Sequence, residues 1–574
     1  MNEKKQKRRL KKPVALGLVL ALLASVLFVN KHIPEIKDKL QETGVLEALN
    51  IEEIFGGDSQ ENQAEEGSRV INEGNRENPV SEDVYSFLSG SEDEKNESEE
   101  NAETKQENSP VIARGACNSF AGYTAAIIAN GGLETEVGSY YYQNGINVSI
   151  DIEDDDDVII EAFKNGEIDF FFLTVNKMPL VCEELKDTNK EAVIPYITDT
   201  STGGDGIVAN LDYNSIPSLQ DAKIGMAKNS VSEAMLLWLY NVQSGMDVKT
   251  AIQNFELYSS TQEAVDAFVH GEIEAVATWD LASALRSEES HLLFSSKDAE
   301  YLIIDALVVD KEFAEENSEI VEKIIDGCIT VVNDINNDVN MNNSYEIIRE
   351  SIPDFSSYDD ATIRGMLNDS KQLGYRKNIE AFEIASGIYK DFCKIWNQMG
   401  FATNAENADN LFDDRYIKSL SDKWENKENA IEEKGVVAKE NIIDREALVS
   451  QTANLLFEAN SAEFLPGYEA EDEAMLDEFV KNAKILNRMV IKIEGNVSLT
   501  PGNVSTEFDY ELSRLRAQHA KEYLVAHGIE EERIIIVANG GDKPIASNET
   551  AEGRKMNRNC RISFYQGETE AEAA

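Results

Sequence analysis

Residues 161–177 read EAFKNGEIDFFFLTVNK, and residues 266–280 read DAFVHGEIEAVATWD. Both follow one grammar: a helix end with Ala-Phe, a Gly-Glu-Ile turn, an acid, a short apolar run and a threonine. Gly166 and Gly271 can adopt the positive φ that stops a helix, and the runs 170–173 and 275–277 are short enough for strands buried on both faces. Two such units point to two similar α/β lobes whose strand tips, Thr174 and Thr278, meet in a common space. Because any α/β protein contains helix-turn-strand units, the repeat needs support from the rest of the chain.

That chain is 574 residues long, too long for one core, and domain-size statistics give about three or four units. It carries 107 acidic against 53 basic residues, a formal charge of −54. Such an excess argues against nucleic-acid partners and against adhesion to anionic surfaces. The five cysteines (Cys117, Cys182, Cys328, Cys393, Cys560) show no CxxC spacing and no neighbouring histidine cluster. Neither a metal site nor a cofactor is expected, and an odd count excludes a full disulfide framework while leaving a single bridge open.

The first twelve residues hold seven lysines and arginines, and residues 13–29 are uncharged. Positive-inside reasoning places the basic end in the cytoplasm and everything beyond Lys31 outside the cell membrane. The run is at the short limit for a spanning helix and long for a signal-peptide core. A retained anchor over residues 1–30 is preferred to a cleaved signal, because no small-residue cleavage site follows and Lys31-His32 closes the run. Residues 31–109 form an acidic linker; from about 56 onward it is Glu-, Asn- and Ser-rich and too poor in apolar side chains to offset its ordering entropy. It reads as an extended leash, or as filler.

Residues 110–423 alternate strand and helix patterns. Asn118 and Ser119 follow the strand pattern at 111–116, where they can cap a helix starting at Phe120 or offer its free N–H groups to an anion. The acids 154–157 fit a helix N-terminus rather than a metal site. A second strand-to-helix turn, KNSVSE at 228–233, has the capping-box spacing in Ser230 and Glu233, which leaves Asn229 and Ser232 without an assigned task. Thr278, Trp279 and Asp280 stand at a strand tip, where Trp279 can wall a ligand and Asp280 can pair with an amine.

The phrases DGIVANLDYNSIPSLQDAKIGMAKNSVSEAMLLWLY, AVDAFVHGEIEAVATWD and ALVVDKEFAEENSEIVEKIIDG give residues 111–420 a resemblance to the type II periplasmic solute-binding proteins of the taurine, sulfonate, nitrate and thiamine-precursor group. The resemblance implies an α/β bilobal fold with two crossing strands, a small-molecule ligand between the lobes and closure by hinge motion. Carried over by position, the ligand shell comprises Asn118, Ser119, Tyr123, Thr174, Ser201, Asn229, Ser230, Ser232, Thr278 and Trp279. A glycine usual in the family's entry turn is Ala222 here. The helical pattern after residue 335 resembles the family's helices that pack across both lobes.

Residues 424–444 read as a charged linker, residues 445–567 as a small α+β domain with a strand-like start at 455–464, and 568–574 as an acidic tail. FEANSAEFLPGYEAEDEAMLDEFVKNAKIL, FDYELSRLRAQHAKEYLVAHGI and GGDKPIASNETAEGRKMNRNCRISF resemble, in order, the OmpA-like peptidoglycan-binding domain. That resemblance implies recognition of a wall-peptide carboxylate by Arg516 and Arg558. The family's acid for the accompanying amine is replaced by Ser498, and Asp509 is the nearest substitute by sequence. No nucleophile elbow, HExxH or Walker loop is present, so an enzyme is not expected. The expectation is a membrane-anchored, extracytoplasmic binding protein for a small anionic or zwitterionic solute, partnered by an ABC permease and touching peptidoglycan. The alternative is an envelope scaffold or sensor whose ligand binding has been lost.

Overall fold

The computed structural model describes residues 111–567 apart from 287, 428–435, 439–444, 454, 456, 459, 465–466 and 468. The anchor, the acidic linker and the tail lie outside the described residues. Among the described residues no helix is long and apolar enough to cross a membrane.

Two sheets are built to one plan. The strands β1 (Ile112–Cys117), β2 (Asn147–Ile152), β3 (Phe170–Thr174) and β4 (Ala192–Ser201) form the first sheet. The chain then crosses to β5 (Gly206–Asn210), β6 (Ile224–Ala227), β7 (Phe255–Tyr258), β8 (Ala275–Thr278) and β9 (Ser290–Ser295), and returns to the first sheet as β10 (Ile304–Asp310) and β11 (Ser370–Gln372). The first sheet runs β11-β4-β10-β3-β1-β2 and the second β7-β6-β8-β5-β9. β3 lies between parallel β1 and antiparallel β10, and β8 between parallel β6 and antiparallel β5. The twin stretches therefore hold equivalent places in two lobes. All residues of β3 and β8 are buried, as expected for strands covered on both faces. Gly166 and Gly271 take φ of 70° and 74°, ending helices α1 (Asp156–Lys164) and α3 (Thr261–Val269), the second of which follows α2 (Val231–Val242).

The segments between β4 and β5 and between β9 and β10 are the two crossings. After β10 the long helix α4 (Ser318–Asn336) packs on the first lobe, and α5 (Tyr375–Met399) spans both lobes. Trp396 of α5 donates its indole N–H to the Asn176 carbonyl (2.9 Å) in the first lobe, while Trp238 of α2 in the second lobe donates to Asp391 of α5 (3.0 Å). Trp424 is buried, its indole donating to Asp326 of α4 (2.7 Å), so this part of the expected linker packs with the lobes.

The C-terminal sheet runs β12-β15-β13-β14, with β12 (Val449–Ala453), β13 (Met489–Gly495), β14 (Ile534–Ala538) and β15 (Cys560–Gln566). Helices α6 (Glu469–Ile485) and α7 (Glu507–Ala526) cover it. Two local expectations need correction. The first strand is Val449–Ala453; among the described residues of 455–464 the pairing is a single bridge from Phe457 to Phe464, whose rings pack together and against His519. Phe120 does not open a helix either: a short 3-10 turn, Ala121–Tyr123, precedes the helix Thr124–Asn130, and neither Asn118 nor Ser119 caps it.

Candidate functional site

The floor of the cleft is a polar row across the first sheet. Gln372, Asp199, Asp305 and Thr174 are successive partners on β11, β4, β10 and β3. Register alone brings them together, because residues opposite one another in neighbouring strands project from the same face. The turn Ala121–Tyr123 lies over this row. Tyr123 donates its hydroxyl to Asp305 Oδ1 (2.8 Å), as does Thr174 (2.8 Å), and Gln372 Nε2 holds the turn through the Ala121 carbonyl (2.8 Å). Gly122 is required here: a Cβ would stand 2.3 Å from Asp199 Oδ2.

Asp199 is fully buried, with Thr198 Oγ1 as donor to one oxygen (3.1 Å). Its Oδ1, like Gln372 Oε1, receives no donor. Burial, and then repulsion from Asp305, push the Asp199 carboxyl well above the usual range; burial raises Asp305 as well, against the hydroxyls of Thr174 and Tyr123. Two such groups side by side cannot both ionise cheaply, which favours the pair keeping a shared proton.

The crossings continue this acidic surface. Asp205 accepts from Ser201 (3.0 Å) and from Ser232 of α2 (2.9 Å), and Ser201 and Ser296 share a hydrogen bond of 2.9 Å. Burial lifts Asp205 to about 6, which the two serine hydroxyls only partly oppose. At the start of α2, Ser230 accepts from the Glu233 N–H (3.1 Å), completing half of the expected capping box. The Glu233 carboxylate turns instead to the N–H of Asn229 (2.7 Å), whose φ of 60° is left-handed. Asparagine tolerates that conformation better than most residues, which gives Asn229 a local reason to be there.

Of the ten residues carried over to the ligand shell, Tyr123 and Thr174 converge on Asp305, while Ser201 and Ser232 converge on Asp205. Asn118 and Ser119 are engaged with Asp156 (3.2 Å) and Asp154 (2.7 Å) of the acidic run at the start of α1. Thr278 accepts from the Asp280 N–H (2.9 Å), and Asp280 caps a short helix through the Ser283 N–H (3.2 Å). Trp279 is 63 % exposed beside them. Asp199, Asp205, Asp305, Gln372 and Ser296 are absent from the sequence-based set. The one local signal for Asp305 is an acid inside the apolar run YLIIDALVV; Gln372 and Ser296 have no such signal.

Of the C-terminal candidates, Arg516 and Arg558 lie near one another, and Asp509 is engaged elsewhere. Arg516 of α7 is 1 % exposed. Its guanidinium donates to the carbonyls of Ser461 (3.1 and 3.2 Å) and Asn496 (3.2 Å) and lies 4.8 Å from the Phe457 ring centroid. Burial lowers its pKa to about 10, helped by nearby Arg558, so it remains charged at neutral pH. Arg558 is half-buried and donates to Ser498 Oγ (3.4 Å) and to the Arg554 carbonyl (3.1 Å). Asp509 closes the capping box of α7, accepting from the N–H (2.9 Å) and hydroxyl (2.7 Å) of Thr506. Among the described residues neither arginine forms an ion pair.

A surface cavity of about 580 Å³ opens elsewhere, between the start of β4 and residues 407–411. Its lysines are neutralised, Lys311 by Glu191 (2.7 Å), Lys190 by Asp310 and Lys186 by Glu183, and it shares no residue with the cleft. Among the described residues no cluster of histidine, cysteine and acids could hold a metal ion.

Comparison with known proteins finds one family match within the two-lobed part and one within the C-terminal domain. Residues 135–329 match the family model described as NMT1/THI5 like, and residues 456–558 match the OmpA family. Outer membrane protein A of Bordetella avium is 37 % identical over 95 residues, covering 16 % of this chain and 47 % of that protein. The peptidoglycan-binding protein ArfA of Mycobacterium tuberculosis is 37 % identical over 86 residues, covering 14 % and 26 %. The chain thus spans half or less of the length of these curated relatives. Among solved structures, the putative periplasmic sulfonate-binding protein SsuA of Methylobacillus flagellatus aligns over 55 % of this chain and 94 % of its own, with 15 % identity and a TM-score of 0.41.

Proposed function

We propose that this chain is an extracytoplasmic solute-binding protein, held at the cell membrane by residues 1–30, whose C-terminal domain contacts peptidoglycan and whose cleft takes a small ligand bearing an amine. The observation that carries the ligand class is the convergence of three buried carboxylates, Asp199, Asp205 and Asp305, with an acceptor oxygen of Asp199 left without a donor. A simple anion would meet like charge in a medium of low dielectric, whereas an ammonium group can take the place of the shared proton and donate to these oxygens. Of the anionic and zwitterionic ligands expected from sequence, the zwitterion fits better. Its anionic end can face the N-terminus of α2, with Ser230, Ser232 and Lys228 close by. Delivery to an ABC permease is part of this reading, and the match of residues 135–329 to the NMT1/THI5 like family supports it.

A thermal-shift screen tests this. Amines and amino-acid or aminosulfonate zwitterions should raise the melting temperature, while nitrate and sulfate leave it unchanged. Stabilisation by amine-free anions alone would sink the ligand class.

At the C-terminal site, Arg516 and Arg558 offer two cations to a wall-peptide carboxylate, and Ser498 offers a hydroxyl. The scaffold reading is favoured by a specific observation: Ser201, Ser232, Ser296 and Asp205 satisfy one another at the crossings. A screen without a single stabilising compound would select it.

A further inference from the structure

The loop joining α6 to β13 grips one of the two crossings between the lobes. Asn487 accepts the Glu300 N–H on its Oδ1 (3.1 Å) and donates its Nδ2 to Glu300 Oε2 (3.1 Å), and the Arg488 N–H donates to the Asp298 carbonyl (3.3 Å). Glu300, 1 % exposed, is held from the other side by Lys371 Nζ of β11 (2.7 Å). A crossing residue is thus shared between the first lobe and the C-terminal domain.

A second node lies on the spanning helix. Asp391 of α5 is fully buried and accepts both from Trp238 of the second lobe (3.0 Å) and from Lys481 of α6 (2.6 Å). The C-terminal domain also binds the second lobe directly. Its Leu448 carbonyl accepts from the Ile216 N–H (2.9 Å), its Ser450 N–H donates to Gln243 (2.8 Å), and Gln566 donates to the Leu293 carbonyl (3.0 Å).

Opening a two-lobed cleft rotates the lobes about their crossings. A third body bonded to the second lobe, to a crossing and to the spanning helix resists that rotation. Opening under it must strip a hydrogen-bond partner from the buried carboxylate of Asp391, which keeps Lys394 of its own helix (3.4 Å), or of Glu300, which keeps Lys371, and each bond lost from a buried charged group is costly. We propose that the C-terminal domain is a clasp on the hinge: docked, it holds the cleft closed, and the lobes open freely only when it lifts. Any force or ligand that draws this domain away then favours opening, and a solute that favours the closed cleft favours docking by the same factor, as linkage requires. The inference rests on the two-lobed reading but not on which solute enters or on whether the domain binds peptidoglycan.

The test is an inter-lobe distance measured by pulsed electron paramagnetic resonance on the full chain. Spin labels are placed at Glu167→Cys and Glu272→Cys, exposed equivalents in the two lobes, with half-buried Cys182 replaced by serine. The parent should give one narrow distance. Lys481→Ala with Asn487→Ala should add a longer one, raising the open-to-closed ratio about tenfold or more, whereas Lys481→Arg with Asn487 intact keeps the single distance. A folded double variant with the parent's distribution overturns the clasp. Should the double variant fail to fold, Asn487→Ala alone removes the grip on Glu300 and leaves the Asp391 node intact. It should raise the ratio about threefold, and an unchanged distribution there overturns the proposal equally.

Discussion

The cleft and the C-terminal arginine site solve opposite electrostatic problems. In the cleft, Asp199, Asp205 and Asp305 are buried together and burial drives their carboxyls upward. At the C-terminal site Arg516 is equally buried, yet it stays charged because its ordinary pKa is so far above neutrality that a fall to about 10 changes nothing. The acids can give up their charge by holding protons, and the guanidinium cannot. The cleft is therefore sensitive to pH and the arginine site is not. The arginine also satisfies its donors on backbone carbonyls, which makes it part of the fold as well as of the site.

The largest effect should come from Arg516→Met. With the carbonyls of Ser461 and Asn496 losing their donor inside the domain, stability should fall by about 2–5 kcal/mol, visible as a lower melting transition in calorimetry. A variant as stable as the parent would reduce Arg516 to a binding residue alone.

Next in size is the pH response of Asp205. Its folded-state pKa is raised to about 6, so the folded protein binds this proton more tightly than the unfolded chain does. The stability from that proton is fully present below the unfolded carboxyl pKa of about 4 and is lost as pH rises through 6. Asp205→Asn carries no such loss. Its melting temperature relative to the parent should climb between pH 4 and pH 7, by the equivalent of about 3 kcal/mol at most; a constant offset across that range would remove the titration from the cleft.

The smallest effect belongs to Arg558→Ala. Half-buried and tied by a long bond to Ser498, Arg558 contributes little to the fold, and its removal should cost under about 1 kcal/mol. Co-sedimentation with purified peptidoglycan should nevertheless weaken about tenfold if Arg558 meets a carboxylate there. Equal recovery of parent and variant would strip it of that role and leave the comparison resting on Arg516.

How far these sites could be read beforehand follows from the range of the interactions. Gly166, Gly271 and the buried runs beside them obey local rules, and the structure places them in equivalent positions of two matching sheets. Ser230 capped its helix as its spacing foretold. Expectations that required a choice of pairing partner fared worse: residues 455–464 have the apolar character of a strand, yet Val449–Ala453 takes the place beside β15 and Phe457 and Phe464 pack into the domain. Asn118 and Ser119, fitted for capping, are drawn away by Asp156 and Asp154 some 35 residues along the chain.

The sequence by itself determined the two-lobed α/β plan and its twin units, the small C-terminal α+β domain and the pair of arginines, because periodicity, turn residues and phrase order act over short spans. Only the tertiary structure decided what the twin tips face. Asp199 and Asp305 lie more than a hundred residues apart and become neighbours through the register of β4 and β10, which no local pattern encodes. The same holds for the hold of Asn487 on Glu300. Strand order, chain crossing and domain docking choose such partners, and they are fixed by the burial of whole faces rather than by any one stretch of residues.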